Sequence, residues 1–176
     1  MNIIKRMMSK IKLIEEYKDT KTKCTFGKYK NLPYEKSIMY SKDNEKFNQI
    51  IEPKYDTIIK VINGLVLDVT EQYIKMGEKN IMVLNLASPY KAGGGVENGA
   101  VAQEEDIFRK TNYFLTLTRN FYPIPEGNVI YSDKVYIIKN NTYLDIDEPH
   151  CVSMLAAAAI KNPELVIIDI KNQIMK

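Results

Sequence analysis

Residues 80–121 read NIMVLNLASPYKAGGGVENGAVAQEEDIFRKTNYFLTLTRNF, and this stretch decides the fold. Asn80 to Ala87 form an apolar run of the length expected for a buried central strand. Gly77 stops what precedes it, a helical spacing from Leu65 to Met76 with Asp68 and Glu71 early and Lys75 late. Before that helix, Thr57 to Ile62 (TIIKVI) is β-branched and ends at Asn63-Gly64, which reads as a strand. Strand, helix and strand make a βαβ unit. After the buried strand come fifteen residues, SPYKAGGGVENGAVA, and then a helix predicted from Gln103 to Phe121 that opens with four Gln or acidic residues.

Three consecutive glycines let the backbone approach a ligand closely and take φ > 0, so that successive N–H groups converge on an anion. The helix that follows adds unpaired N–H groups and a partial positive charge at its start. The spacing fits neither GxxxxGK[ST] nor GxGxxG, which excludes a kinase-like nucleotide loop and a dinucleotide fold. A flexible turn followed by a helix start capped by acids accounts for the same residues. Neighbouring helical residues point about 100° apart, so Glu104 and Glu105 cannot serve as symmetric partners across one bond. Their expected roles differ, one a proton donor and the other a ribose holder.

Outward from this stretch, Ile3 to Tyr17 is apolar at helical spacing and predicts a helix over 3–18. Lys21 to Asn48, broken by Gly27 and Pro33, reads as short strands or irregular segments. Val129 to Ile138 predicts two short strands, Pro149 begins another, and Met154 to Ile160 is a short alanine-rich strand or loop. No internal repeat, linker or low-complexity tract interrupts the chain.

The chain has 176 residues, room for one core. A net charge of +3 is too mild to predict a nucleic-acid groove, and no apolar run approaches the ~20 residues of a membrane span. Cys24 and Cys151 form neither a disulfide framework nor a zinc pattern, which fits a reducing cytoplasm. Cys151 is expected as a small buried hydrophobe, and His150, the only histidine, as a surface or turn residue rather than a catalyst.

Gly93-Gly94-Gly95, seven intervening residues and then Gln103-Glu104-Glu105 resemble the signature of poly(ADP-ribose) glycohydrolases of the microbial type. LNLAS before the loop is similar to that family's LNFAS, VIYSDKVYIIKN to its strand pair, LDIDEPHCVSMLAAAAIKNP to its DEPxxVSxxTAPAxN segment, and DTKTKCTFGKY to an N-terminal T-L-x-I-x-x-G-x-Y stretch. The resemblance covers roughly residues 11 to 165, and one departure is Ala92, where relatives carry proline.

The resemblance implies an α/β macrodomain, a three-layer α/β/α arrangement around a mixed sheet. Residues 1–50 would form an N-terminal helical or accessory segment and 51–176 the core of one domain. It implies hydrolysis of ribose–ribose O-glycosidic bonds in poly(ADP-ribose), releasing ADP-ribose without metal or cofactor. Glu105 would be the general acid/base and Glu104 a ribose ligand; Gly93, Gly94, Gly95 and Val96 would wrap the diphosphate, and Gln103 would orient the distal ribose. A helix start lowers a carboxyl pKa, so burial and the substrate diphosphate must raise that of Glu105 for it to act as an acid.

The implied partners are poly(ADP-ribose), ADP-ribose and ADP-ribosylated proteins, with neither membrane nor direct nucleic-acid contact. Relatives continue with a helix, another parallel strand and a second loop, GAWGCGxF, which nothing after Ile160 resembles; residues 164–176 are similar to the approach to that helix. The expectation is thus a core lacking its last strand and helices, with an exposed sheet prone to self-association. Two further readings are an ADP-ribose binding module without turnover and a remnant without ligand.

Overall fold

The computed structural model describes residues 3–44 and 56–161; the expectation for residues 164–176 lies outside these. Along β2 (Met82–Ala87) burial alternates strictly, with Val83, Asn85 and Ala87 buried and Met82, Leu84 and Leu86 exposed. That period of two is the mark of a strand with one covered face.

β2 runs parallel to β4 (Asp145–Ala158), with Val83 opposite Met154 and Asn85 opposite Ala156. β4 pairs antiparallel with β3 (Val129–Lys139), which pairs antiparallel with β1 (Ile38–Tyr40). The order β1-β3-β4-β2 makes a mixed sheet with β2 at one edge. The chain is therefore α/β.

The covered face of the sheet receives α3 (Gln103–Lys110) through Ile107 and Phe108, α1 (Ile3–Thr25) through Tyr17 and α2 (Val66–Lys75) through Leu67, all in one core. Arg109 of α3 is 1% exposed and binds α1 to the glycine loop, donating from Nε to the Leu13 carbonyl at 3.2 Å and from Nη2 to the Ala100 carbonyl. The Thr20 hydroxyl of α1 donates back to the Arg109 carbonyl. Gly99 completes the joint: its φ of +69° and its approach to the Lys10 backbone leave no room for a Cβ. The first helix therefore shares the core and walls the loop.

The structure corrects seven sequence expectations, the first being that Asn80 to Ala87 is a buried central strand: among the described residues β2 lies at the sheet edge with one face exposed. Residues 57–62 form no strand: Ile59 is 88% and Val61 99% exposed, and β-branched residues without a partner strand have no ladder to join. The βαβ unit therefore loses its first strand, although α2 and β2 stand. The helix from Gln103 ends at Lys110 rather than Phe121, because Thr111 turns extended to bridge Ile137. Asn112 then pairs with Tyr136 through both its backbone and side chain, as a strand residue would.

β3 is one strand with a bulge between Ser132 and Val135, not two, and β4 runs unbroken through Pro149. α1 extends to Thr25, past the expected end at residue 18. Cys151 is exposed, whereas Cys24 is the buried thiol, pushed by burial up to about 12. Among the described residues no helix is long and apolar enough to cross a membrane.

Lys139 at the end of β3 is completely buried and holds α1 by Glu16 at 2.9 Å and Asp19 at 2.7 Å. Burial would raise the Asp19 carboxyl, but the hydrogen bonds from Lys139 and Lys23 prevail and hold it below its ordinary value. A carboxyl lowered in the folded state stabilises fully above its unfolded value, about 3.9, and loses that contribution as pH falls through the lowered one. Urea unfolding of Lys139→Met is expected to show a loss of about 1–3 kcal/mol, the scale of hydrogen bonds to a charged group. Asp19→Asn should flatten the fall in melting temperature below about pH 4.

Candidate active site

Strand β2 delivers the chain at Ala87 into a loop whose conformation only glycine tolerates. Gly93 has φ +72° and Gly94 has φ +51°. A Cβ on Gly93 would sit 2.6 Å from the Phe108 ring, and one on Gly94 would sit 2.6 Å from Glu105 Oε1 and 3.1 Å from Glu104 Oε2. The loop thus lies between an aromatic ring and two carboxylates.

The N–H groups of Gly93 to Val96 all have partners within the protein. Gly93 N–H donates to Glu104 Oε1 at 3.2 Å and Gly95 N–H to Glu105 Oε1 at 2.9 Å. Gly94 donates to the Lys91 carbonyl and Val96 to that of Gly93, each at 3.0 Å. Where the sequence predicts convergence on an external anion, two of these donors reach the protein's own carboxylates and two reach backbone carbonyls.

Glu104 points inward and is 3% exposed. Its Oε1 also accepts from Asn85 Nδ2 at 3.3 Å, and its Oε2 accepts from Ser88 N–H at 2.8 Å. Burial pushes its carboxyl above the ordinary value against the pull of these donors, and the neighbouring Glu105 charge adds to the rise. Behind it lie the buried hydroxyls of Tyr113 and Tyr122 and Asn85 Oδ1, none with a hydrogen-bond partner among the described residues. Burial, then the Glu104 charge, raises the Tyr122 phenol.

Glu105 is 7% exposed and is held by Oε1 alone, so Oε2 has no donor among the described residues. The resemblance sets Gln103 at the distal ribose. In the structure its carboxamide donates to the Leu84 carbonyl at 3.0 Å and accepts from Leu86 N–H at 2.7 Å, filling the place of a neighbouring peptide on the open edge of β2. Asp106, next in sequence, turns away to Lys110 and Tyr143.

Sequence reasoning missed Asn85, Ser88, Tyr113 and Tyr122. The one available signal was Asn85, a polar side chain at an inward position of an otherwise apolar strand. Tyr90, in the loop, is 71% exposed. Among the described residues no three His, Cys, Asp or Glu converge as a metal site.

The model of the microbial-type poly(ADP-ribose) glycohydrolase (PARG) catalytic domain matches residues 7–140, and the chain belongs to that family. Among solved structures, poly(ADP-ribose) glycohydrolase from Thermomonospora curvata superposes with a TM-score of 0.70 at 18% identity, covering 84% of this chain and 64% of that one. The same protein bound to the inhibitor ADP-HPD gives 0.67 at 17% identity, over 84% and 63%. The Deinococcus radiodurans glycohydrolase in complex with ADP-ribose gives 0.51 at 25% identity, over 57% and 44%. The chain thus spans about 64% of the length of the Thermomonospora protein. No curated protein matches by sequence.

Gly94→Ala is expected to displace both carboxylates and cost about 1–3 kcal/mol from the left-handed backbone alone, read by urea denaturation. In a carbon-detected titration, Glu104 should protonate above the ordinary glutamate value of about 4.3.

Proposed function

We propose that this domain hydrolyses the ribose–ribose O-glycosidic bond of poly(ADP-ribose) and releases ADP-ribose. The observation that carries the reading is the seat of Glu105, fixed on the triple glycine by one oxygen with the other left open beside the buried Glu104. Family membership supports it.

In this reading Glu105, protonated on Oε2, gives its proton to the bridging oxygen as the bond to the anomeric carbon breaks, leaving an oxocarbenium-like ribose. The resulting carboxylate takes a proton from water as that water's oxygen bonds to the same carbon. The linkage and one water become two hydroxyl-bearing products, and Glu105 ends protonated as it began. Glu104, fixed as an acceptor by three donors, has a free lone pair on Oε2 for a ribose hydroxyl. Gly93, Gly94, Gly95 and Val96 supply a surface without side-chain bulk along which the diphosphate lies, and Gln103 acts by holding the edge of the strand that carries Asn85. No metal or cofactor takes part.

We read residues 1–176 as one macrodomain-like unit acting in the cytoplasm on ADP-ribosylated proteins. The two free thiols support the compartment, and the bare row of Met82, Leu84 and Leu86 supports self-association through the sheet.

Glu105→Gln is expected to slow release of ADP-ribose from polymer about 10²–10⁴-fold, the usual worth of a general acid/base, while ADP-ribose binding persists in calorimetry. A parent protein that binds ADP-ribose but releases none from polymer is instead a binding module, the alternative favoured by the engagement of every loop N–H from Gly93 to Val96.

A further inference from the structure

A cleft of about 270 Å³ opens on the side of the glycine loop formed by Ala92 and Val96, between the loop, the second half of α1 and the segment after α3. Its floor is aromatic: Tyr17 packs against Phe108 at 6.4 Å and edge-on against Phe114 at 6.3 Å. Its rim is basic. Lys21, Lys91 and Arg119 line it with Glu97 as the one carboxylate, which leaves two positive charges in excess.

Lys91 contacts Glu97 at 2.8 Å and Lys21 approaches it at 4.0 Å, with all three side chains 41–45% exposed. Such half-exposed pairs are weak and exchange readily for a stronger anion. The hydrogen bond from Lys91, then the charges of Lys21 and Arg119, hold the Glu97 carboxyl below its ordinary value. Lys18 extends the basic side along α1 into an adjoining cleft shared with Lys21. Set against a net charge of only +3 for the whole chain, this is a local concentration of positive charge.

We propose that this cleft is a second phosphate-binding subsite, taking the diphosphate of the polymer unit next to the one cleaved. The inference rests on the polymer-cleaving reading above. Every repeat of poly(ADP-ribose) carries a diphosphate, so a polymer seated on the glycine loop brings a further doubly charged group to one side of it. The cleft shares Ala92 and Val96 with that loop and is its neighbour. Two lysines act as adjustable point charges for such a group and Arg119 offers a planar fork, with Lys21 held 5.1 Å above the Tyr17 ring. A single ADP-ribose has one diphosphate and cannot fill both the loop and the cleft, which makes the subsite specific for polymer.

The test compares three probes on the full chain: polymer several units long, ADP-ribose and inorganic pyrophosphate. Lys21→Gln with Arg119→Gln is expected to weaken polymer binding roughly tenfold and to lower the slope of log affinity against log salt by roughly two, while ADP-ribose affinity stays within about twofold. Glu97→Gln, which removes the competing carboxylate, should move polymer affinity the other way. Lys75→Gln with Lys79→Gln, the same charge change on and beside α2, should leave it unchanged.

Polymer affinity unaltered by the Lys21/Arg119 pair overturns the subsite and leaves hydrolysis standing. An equal loss for ADP-ribose overturns it too, by showing a general charge effect. Pyrophosphate bound by the parent and lost in the double variant sustains the subsite even if ADP-ribose fails to bind, an outcome that removes the hydrolase reading instead.

Discussion

The Glu104 carboxylate is the acceptor on which strand, loop and helix converge. It takes hydrogen bonds from Asn85 on β2, from the Ser88 backbone where the strand ends and from Gly93 in the loop, while its own backbone begins α3. Removing a carboxylate from water costs several kcal/mol unless donors replace the hydration, so the group is tolerable here only with all three in place. The loop is therefore held closed by polar bonds as well as by contact with Phe108. This also explains the glycines: a side chain at Gly94 would occupy the volume of the carboxylates.

The same logic recurs at two buried cations. Arg109 answers carbonyls of α1 and of the loop end, and Lys139 answers carboxylates of α1. Both fix the first helix from inside the core, with fully desolvated head groups that water cannot easily replace. Removing either leaves oxygens whose partners were chosen for one geometry, and so the helix, the loop end and the sheet are set in register together. The wall of the glycine loop inherits its position from α1.

What sequence disclosed follows from how local each feature is. β2 was legible as an apolar run of strand length, the start of α3 from its four Gln or acidic residues, and the loop because three glycines have few uses; that β2 buries only one face was not legible, because the exposed Met82, Leu84 and Leu86 are themselves apolar. Thr57 to Ile62 misled because β-branching states a preference that only a partner strand can realise, and pairing is not written in the segment itself. The end of α3 was hidden for the converse reason: Thr111 and Asn112 leave the helix to pair with Ile137 and Tyr136, residues far along the chain. Glu104 and Glu105 were legible as a pair pointing in different directions, but the donors that give them unequal surroundings come from β2 and the loop, so Asn85 escaped notice. Gln103 shows the limit plainly. Its chemistry suits a ribose hydroxyl and a strand edge equally, and the contact with the edge follows only from the position of β2.

That strand edge bears on the site. β2 is the outermost strand among the described residues, and Gln103 occupies one carbonyl and one N–H of its open side. An unpaired edge invites pairing with other chains, and a side-chain amide that imitates a peptide unit blunts the invitation over one residue pair. Because Gln103 directly precedes Glu104, the bond also fixes the first turn of α3 against the strand that presents Asn85. A strand paired along that edge would compete for the same two backbone groups, and the helix start would lose its tether as the edge gained a neighbour. The carboxylates, the glycine loop and the sheet edge are in this way one mechanical unit, in which the outer side of β2 is connected to the orientation of Glu104 through a single side chain.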